Sequence, residues 1–204
     1  MKNYLQPIIR LLFVALFIVL IFTGRVQIWV GIFLLAVAST FLFSRLYCGW
    51  ICPINTVMKV VVWVKRKLGL KDIKIPSFLA ISWIKYVVLG LFILFFVISM
   101  TTGRMLPVLP ILFAAGIVLT VSFPEELWHR YICPYGTIFT LPGSVSKYAM
   151  VIDEEKCNRC GSCMKVCPSG AIENIDGRFV IIKSRCLVCL DCRDVCKQEA
   201  ISYC

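Results

Sequence analysis

Four stretches of the chain are almost wholly apolar: Leu5–Phe22, Val26–Phe43, Phe78–Met100 and Leu106–Phe123. Each is long enough to cross a bilayer, which takes roughly 20 apolar residues. Thr23-Gly24-Arg25 joins the first two, and Thr101-Thr102-Gly103-Arg104-Met105 joins the last two. Links this short make helical hairpins. Pro107 and Pro110 fall in the first turn of the fourth helix, where a missing N–H costs least. Between the hairpins, Ile54–Leu68 sets Val57, Met58, Val61 and Val62 beside Lys59, Lys65 and Lys67, the pattern of an interfacial helix. Thr137–Lys147 is a shorter counterpart. Beyond residue 149 the pattern is polar and mixed. "RFVIIKS" at 178–184 is a strand candidate, and Met150–Ile152 is expected to pair with it in one small sheet.

Composition sharpens this division. Of the 204 residues, 60% are hydrophobic, too many for an ordinary soluble domain. Residues 1–149 hold fourteen Lys or Arg against Asp72, Glu125 and Glu126, and so carry the whole net charge of +11. Residues 150–204 hold eight basic and eight acidic residues. The expected domains are therefore 1–149 in the membrane and 150–204 as a small soluble module. Nucleic-acid binding is set aside, because the basic residues lie between apolar runs and not on a soluble face. The first apolar stretch lacks a small-residue cleavage site and is expected to remain as a helix. Arg25 and Arg104 are the basic residues of one side. The other side has Lys2, Arg45, Lys59, Lys65, Arg66, Lys67, Lys71, Lys74, Arg130 and Lys147, which places it, both termini and the soluble module in the cytoplasm. Arg10 and Lys85 sit inside spans and are expected to snorkel.

The membrane half repeats itself. Thr23-Gly24-Arg25 recurs as Thr102-Gly103-Arg104, and "LYCGWICPINT" at 46–56 aligns without gaps on "LWHRYICPYGT" at 127–137. Cys52 matches Cys133, Pro53 matches Pro134, Thr56 matches Thr137, and Cys48 matches His129. A unit of two spans preserves orientation, so the repeat is parallel, about an axis along the membrane normal.

Eight of the twelve cysteines fall in two runs: Cys157, Cys160, Cys163, Cys167 followed by Pro168, and Cys186, Cys189, Cys192, Cys196 followed by Lys197. The first is the C-x2-C-x2-C-x3-C-P pattern of cluster-binding ferredoxins. Three cysteines at two-residue gaps wrap one face of a cubane, and the fourth points away toward a second cubane. Two [4Fe–4S] clusters are expected, one on Cys157, Cys160, Cys163 and Cys196, the other on Cys186, Cys189, Cys192 and Cys167. A zinc site would stop at four ligands. A module of some 55 residues buries little core and needs the clusters as staples. Thiolate ligands also favour a reducing compartment.

Membrane hairpins, the "CGWICP" segment at 48–53 and a two-cluster ferredoxin module together resemble the membrane polyferredoxins. That family includes membrane subunits of periplasmic nitrate reduction, of nitrous-oxide-reductase regulation and of cytochrome oxidase maturation. The resemblance covers nearly the whole chain. It implies a multi-pass cell-membrane protein with four transmembrane helices as two parallel-repeat hairpins, plus a small α+β ferredoxin-like domain. It also implies electron transfer between a quinol-like lipid-soluble carrier, or a membrane partner, and a redox partner protein, as one subunit of an oxidoreductase complex. Supplying electrons for maturation or regulation of another metalloenzyme is the alternative. Members often carry two cysteines in the second segment; here His129 replaces the first. Cys48, Cys52, Cys133 and His129 are a candidate third iron–sulfur or metal centre. The alternative is that they are buried small residues with a helix-capping histidine. Glu125, Glu126 and Arg130 beside His129 could assist proton release from a quinol or simply contact head groups. Cys204 lies outside both runs.

Overall fold

The computed structural model describes residues 5–81, 83–102 and 108–204, with the backbone alone for Met100, Val108 and Leu109. The link expected at residues 101–105 and Pro107 lie largely outside the described residues. The chain packs as two units, Met1–Thr56 with Ile138–Cys204, and Val57–Thr137. These follow packing, whereas the expected boundary at residue 149 follows composition.

In the first unit, α1 (Leu5–Phe22) and α2 (Gln27–Phe43) coincide with the first two apolar runs. Gly24, at φ 69°, turns the chain between them, and the Arg25 and Gly24 amides donate to the Leu20 and Ile21 carbonyls at 3.0 and 3.1 Å. Only glycine enters this left-handed region without strain. Trp29 packs edge-on against Phe17, 4.8 Å between centroids, and donates to the Tyr47 hydroxyl at 3.2 Å. The outer faces are bare: Leu11, Leu35 and Phe22 are 70%, 73% and 86% exposed.

The end of α2 is fully capped. Its last four carbonyls would otherwise lack partners. Thr40 accepts from the Ser44 amide (3.1 Å), Phe41 from the Lys147 amide (3.2 Å), Leu42 from the Tyr148 amide (2.8 Å) and Phe43 from the Tyr203 hydroxyl (3.0 Å). A short helix, α3 (Leu46–Trp50), follows, then α4 (Pro53–Lys67), close to the expected interfacial helix.

The C-terminal module is a repeat of its own, offset by twenty-nine residues. β1 (Met150–Ile152), α8 (Ser162–Val166) and β2 (Ile172–Ile175) recur as β3 (Arg178–Ile181), α9 (Asp191–Asp194) and β4 (Ile201–Tyr203). β1 pairs antiparallel with β4, and β2 with β3. The expectation that 150–152 and 178–184 share one sheet is thus corrected: each strand pairs with the second strand of the other half. Cys204 ends the first ladder, its backbone exchanging hydrogen bonds with Ala149 at 2.7 and 3.0 Å.

In the second unit, α5 (Ile84–Thr102) and α6 (Val108–Ser122) carry the third and fourth apolar runs. The third begins six residues later than expected, because the chain turns first at Pro76–Ala80. Lys85 therefore lies in the first turn of α5, over the Tyr86 ring at 4.9 Å, and not deep in a span. Lys65 is 5% exposed, and its ammonium pairs with Asp72 and donates to the Thr120 and Phe123 carbonyls at 2.9 and 3.4 Å. It caps α6 instead of facing solvent. A π-helical turn, Leu127–Ile132, leads into α7 (Pro134–Ser144), whose end belongs to the first unit.

By length and composition one helix among the described residues, Leu5–Phe22, suffices to cross a membrane. Gln27–Phe43, Ile84–Ser99 and Pro110–Ser122 are shorter apolar stretches.

Candidate functional site: two cysteine-lined hollows

The two cysteine runs fold into loops of the same shape. Arg159 (φ 58°) and Gly161 (φ 71°) in the first correspond to Val188 (φ 52°) and Leu190 (φ 64°) in the second. Gly170 (φ 55°) and Glu199 (φ 49°), three residues after the fourth cysteine of each run, also correspond. A β-branched valine at positive φ is a true outlier, costing about 1–3 kcal/mol, and persists where its surroundings hold it. The left-handed steps are what let three cysteines two residues apart turn toward one point.

Each loop lines a hollow. One is bordered by Cys157, Cys160, Cys163 and Cys196, with Ile152, Phe179 and Ile201, and encloses ≈ 350 Å³ including its open mouth. The other is bordered by Cys167, Cys186, Cys189 and Cys192, with Met150, Ile172 and Ile181, and encloses ≈ 320 Å³. In each case the fourth cysteine comes from the other run, because crossed strand pairing lays the end of one half beside the loop of its partner.

The hollows differ in burial. Cys186, Cys189 and Cys192 are buried, whereas Cys160 is exposed and Cys157, Cys163 and Cys196 are half-buried. Burial pushes the Cys186 thiol up to about 11, and burial with the nearby Cys186 and Cys167 pushes Cys192 up to about 12. Burial also raises Cys163, while a hydrogen bond with Ser162 lowers Cys160. Metal must displace these protons to bind. The Ala171 amide donates to the Cys167 sulfur at 3.2 Å. Met150, Ala171, Ile172, Ile181, Val188, Leu190 and Ile201 form the apolar shell beneath. Sulfur donors in fours, in apolar-lined pockets at loop tips, fit iron–sulfur cubanes.

The segment "CGW" at 48–50 lies directly on the buried loop. A Cβ at Gly49 would stand 2.2 Å from the Leu187 carbonyl oxygen and 3.1 Å from the Val188 carbonyl, so only glycine fits. The Trp50 indole N–H donates to the Val188 carbonyl at 3.0 Å. From the other side, Gln6 and Arg10 donate to the Gly49 carbonyl at 3.2 and 2.7 Å. Arg10 is therefore a clamp, not a snorkelling cation. Sequence spacing gave no sign of Arg45, Gly49 or Trp50 as neighbours of the cysteine loops. The twenty-nine-residue offset was visible in the two runs.

The aligned segments 46–56 and 127–137, an α-helical and a π-helical turn, lead into the next helix in the same way. The Cys52 amide donates to the Tyr47 carbonyl at 2.9 Å, and the Cys133 amide to the Trp128 carbonyl at 2.8 Å, each spanning five residues as in a π-turn. The Thr56 and Thr137 hydroxyls then donate to the Cys52 and Cys133 carbonyls at 3.1 and 3.2 Å. Pro53 and Pro134 each open a helix. Cys48 and His129, the matched pair, are both buried, at 6% and 7% exposed. Cys48 and Cys52 belong to the first unit, His129 and Cys133 to the second. His129 lies inside the π-helical turn, not at a helix cap. Among the described residues no group of three or more His, Cys, Asp or Glu side chains is gathered to hold a single metal ion.

Comparison with known proteins agrees with these repeats. One family model described as a 4Fe–4S binding domain matches twice, at residues 27–71 and 105–147. A second 4Fe–4S binding domain model matches residues 150–173. The ferredoxin-type protein NapH of Haemophilus influenzae is 28% identical over 185 residues, 78% of this chain and 62% of that protein. An uncharacterised Methanocaldococcus jannaschii protein is 31% identical over 179 residues, 83% of this chain and 68% of its own length. The methylamine utilization ferredoxin-type protein MauN of Methylobacillus flagellatus is 31% identical over 147 residues, 63% of this chain and 50% of MauN. The chain spans about three fifths of the length of the NapH proteins it matches. No solved structure matches. The chain belongs to the membrane polyferredoxin family, and two [4Fe–4S] clusters are its cofactors.

Proposed function

We propose that this polyferredoxin is a membrane-bound electron carrier whose two clusters are held by Cys157, Cys160, Cys163 with Cys196, and by Cys186, Cys189, Cys192 with Cys167. The observation that carries the assignment is the membership of the two hollows, each lined by four cysteines with the fourth exchanged. When bound, each cluster takes up and releases an electron. The protein supplies sulfur ligands, an apolar-lined pocket and fixed spacing. The buried loop at 186–192 rests on the helical segment and is the inner end of the relay. The loop at 157–163, with Cys160 exposed, is the outer end and faces a soluble redox partner. A quinol-like carrier or a membrane partner serves the inner end.

The membrane reading rests on the uncovered apolar faces. Besides those of α1 and α2, Val87, Leu91, Leu94 and Phe95 on α5 and Ile111 and Val118 on α6 are about half exposed or more. Apolar surface of that extent on a soluble monomer would mark a binding surface or an aggregation liability. Four spans in two hairpins, with both termini and the ferredoxin module cytoplasmic, satisfy the Lys/Arg asymmetry.

Iron counting tests the assignment. Anaerobically purified full-length protein should hold about eight irons, four per cluster. Cys167→Ala should remove the cluster of 186–192 and spare that of its own run. Loss of the 157–163 cluster instead would refute crossed ligation. The 4Fe–4S description of the model matching 27–71 and 105–147 favours a second reading, in which Cys48, Cys52, Cys133 and His129 also ligate iron. Iron beyond eight, lost in Cys52→Ala and Cys133→Ala, is its signature.

A further inference from the structure

Arg45 stands between α2 and α3, only 2% exposed. Its Nη1 donates at 3.1 Å to the carbonyl of Ser184, two residues before Cys186. The guanidinium charge lies near the Cys48 thiol, whose pKa it lowers against the effect of burial, and its Nε has no hydrogen-bond partner. Gly143 leaves room for its stem: a Cβ there would lie 3.2 Å from the Arg45 Cγ. Among the described residues Arg45 makes no ion pair with a carboxylate. Its neighbours differ: Arg185 pairs with Glu173, and Lys183 is exposed. A buried cation costs several kcal/mol unless an opposite charge compensates it. The groups here that can carry an opposite charge are the Cys48 thiol and the thiols of the buried hollow, of which Cys186 feels the Arg45 charge.

We infer that Arg45 is the counter-charge of the cluster held by Cys167, Cys186, Cys189 and Cys192, and that it raises the reduction potential of that cluster. The inference rests on the ligand assignment proposed above. Four thiolates leave a cubane negatively charged, and reduction makes it more so. A fixed cation nearby stabilises the reduced form more than the oxidised one, and low local dielectric strengthens the effect. Arg45 acts as a positioning residue for charge, without ligating iron.

The test is a redox titration of the anaerobic full-length protein, followed by electron paramagnetic resonance, on wild type, Arg45→Gln and Arg45→Lys. Cys167→Ala first identifies which signal belongs to the 186–192 loop. If it abolishes the other signal, the ligand assignment fails and the identity of the affected cluster with it. With the signal assigned, Arg45→Gln should lower that potential by at least the equivalent of a tenfold change in the reduction equilibrium, about 59 mV for one electron. The other signal should stay in place, and Arg45→Lys should remain near wild type. No shift, an equal shift of both signals, or a Lys variant displaced as far as Gln would overturn the inference. Where Gln loses the cluster altogether, Lys decides. Retention of both clusters in Lys shows that the charge is required. Loss in Lys as well makes Arg45 a steric pin and ends the inference.

Discussion

Gly49→Ala is the sharpest single perturbation of the junction between the helices and the cluster loops. The added methyl would sit 2.2 Å from the Leu187 carbonyl oxygen, where ordinary contact begins near 3.4 Å, so the loop must retreat by about 1.2 Å. The obstacle is backbone, and that backbone is already held in left-handed conformations at Val188 and Leu190. Overpacking of this kind costs about 1–3 kcal/mol. Retreat also stretches the Trp50–Val188 hydrogen bond, worth about 1 kcal/mol. Together the docked state loses roughly 2–4 kcal/mol, and each 1.4 kcal/mol is about tenfold in population. Where release to a chelator follows a fast opening equilibrium, its rate tracks the open population. Iron should therefore leave the variant at least about tenfold faster than wild type, from the cluster of the 186–192 loop first. Gly31→Ala is the control: nothing lies within 4 Å of its added methyl, and its release rate should match wild type. A Gly49→Ala protein with full iron and unchanged release would refute the close docking.

Glu199→Gly should stabilise the protein by about 1 kcal/mol, because an exposed glutamate sits at φ 49° where its counterpart is Gly170; a lower denaturation midpoint would contradict this. Gly170→Ala should destabilise by a similar amount, read in the same melts. Cysteines introduced at Gly24 and Gly103 should both label from outside the cytoplasm; labelling of either from the cytoplasmic side alone would disprove the hairpin topology.

The helices were legible because an apolar run needs no partner to declare itself, and the end of the first run at Phe22 was placed to the residue. The late start of α5 was hidden in Pro76 and the turn it begins. The cysteine runs announced their chemistry through spacing. The strand pairing was misread because four-residue strands carry no period to follow. Here the pairing follows from the twofold character of the repeat, visible only when residues 150–175 are laid on 179–204. Arg45 and Lys65 looked like ordinary basic residues of a membrane flank, and Arg10 like a snorkelling cation inside a span. Each instead satisfies main-chain carbonyls: Gly49 for Arg10, Ser184 for Arg45, and Thr120 with Phe123 for Lys65. Such long-range acceptors leave no local pattern in a sequence.

The capping of α2 decides between a ferredoxin module that swings and one that is fixed. A tethered domain would leave the carbonyls of Phe41, Leu42 and Phe43 without partners at the end of an apolar helix, where each unsatisfied group is costly. Instead the Lys147 and Tyr148 amides and the Tyr203 hydroxyl take them, at 3.2, 2.8 and 3.0 Å. Two of those donors belong to the segment that would have to be the hinge. The third lies on β4, which pairs with β1 immediately after that segment. Swinging would break all three bonds at once, together with the contacts of Gly49 and Trp50. The amides of Lys147 and Tyr148 should therefore exchange hydrogen as slowly as those of β1, whereas a hinge would exchange them within the dead time. Fast exchange confined to residues 145–149, with β1 protected, would show that the module moves as a body and that the docked arrangement is one state among several.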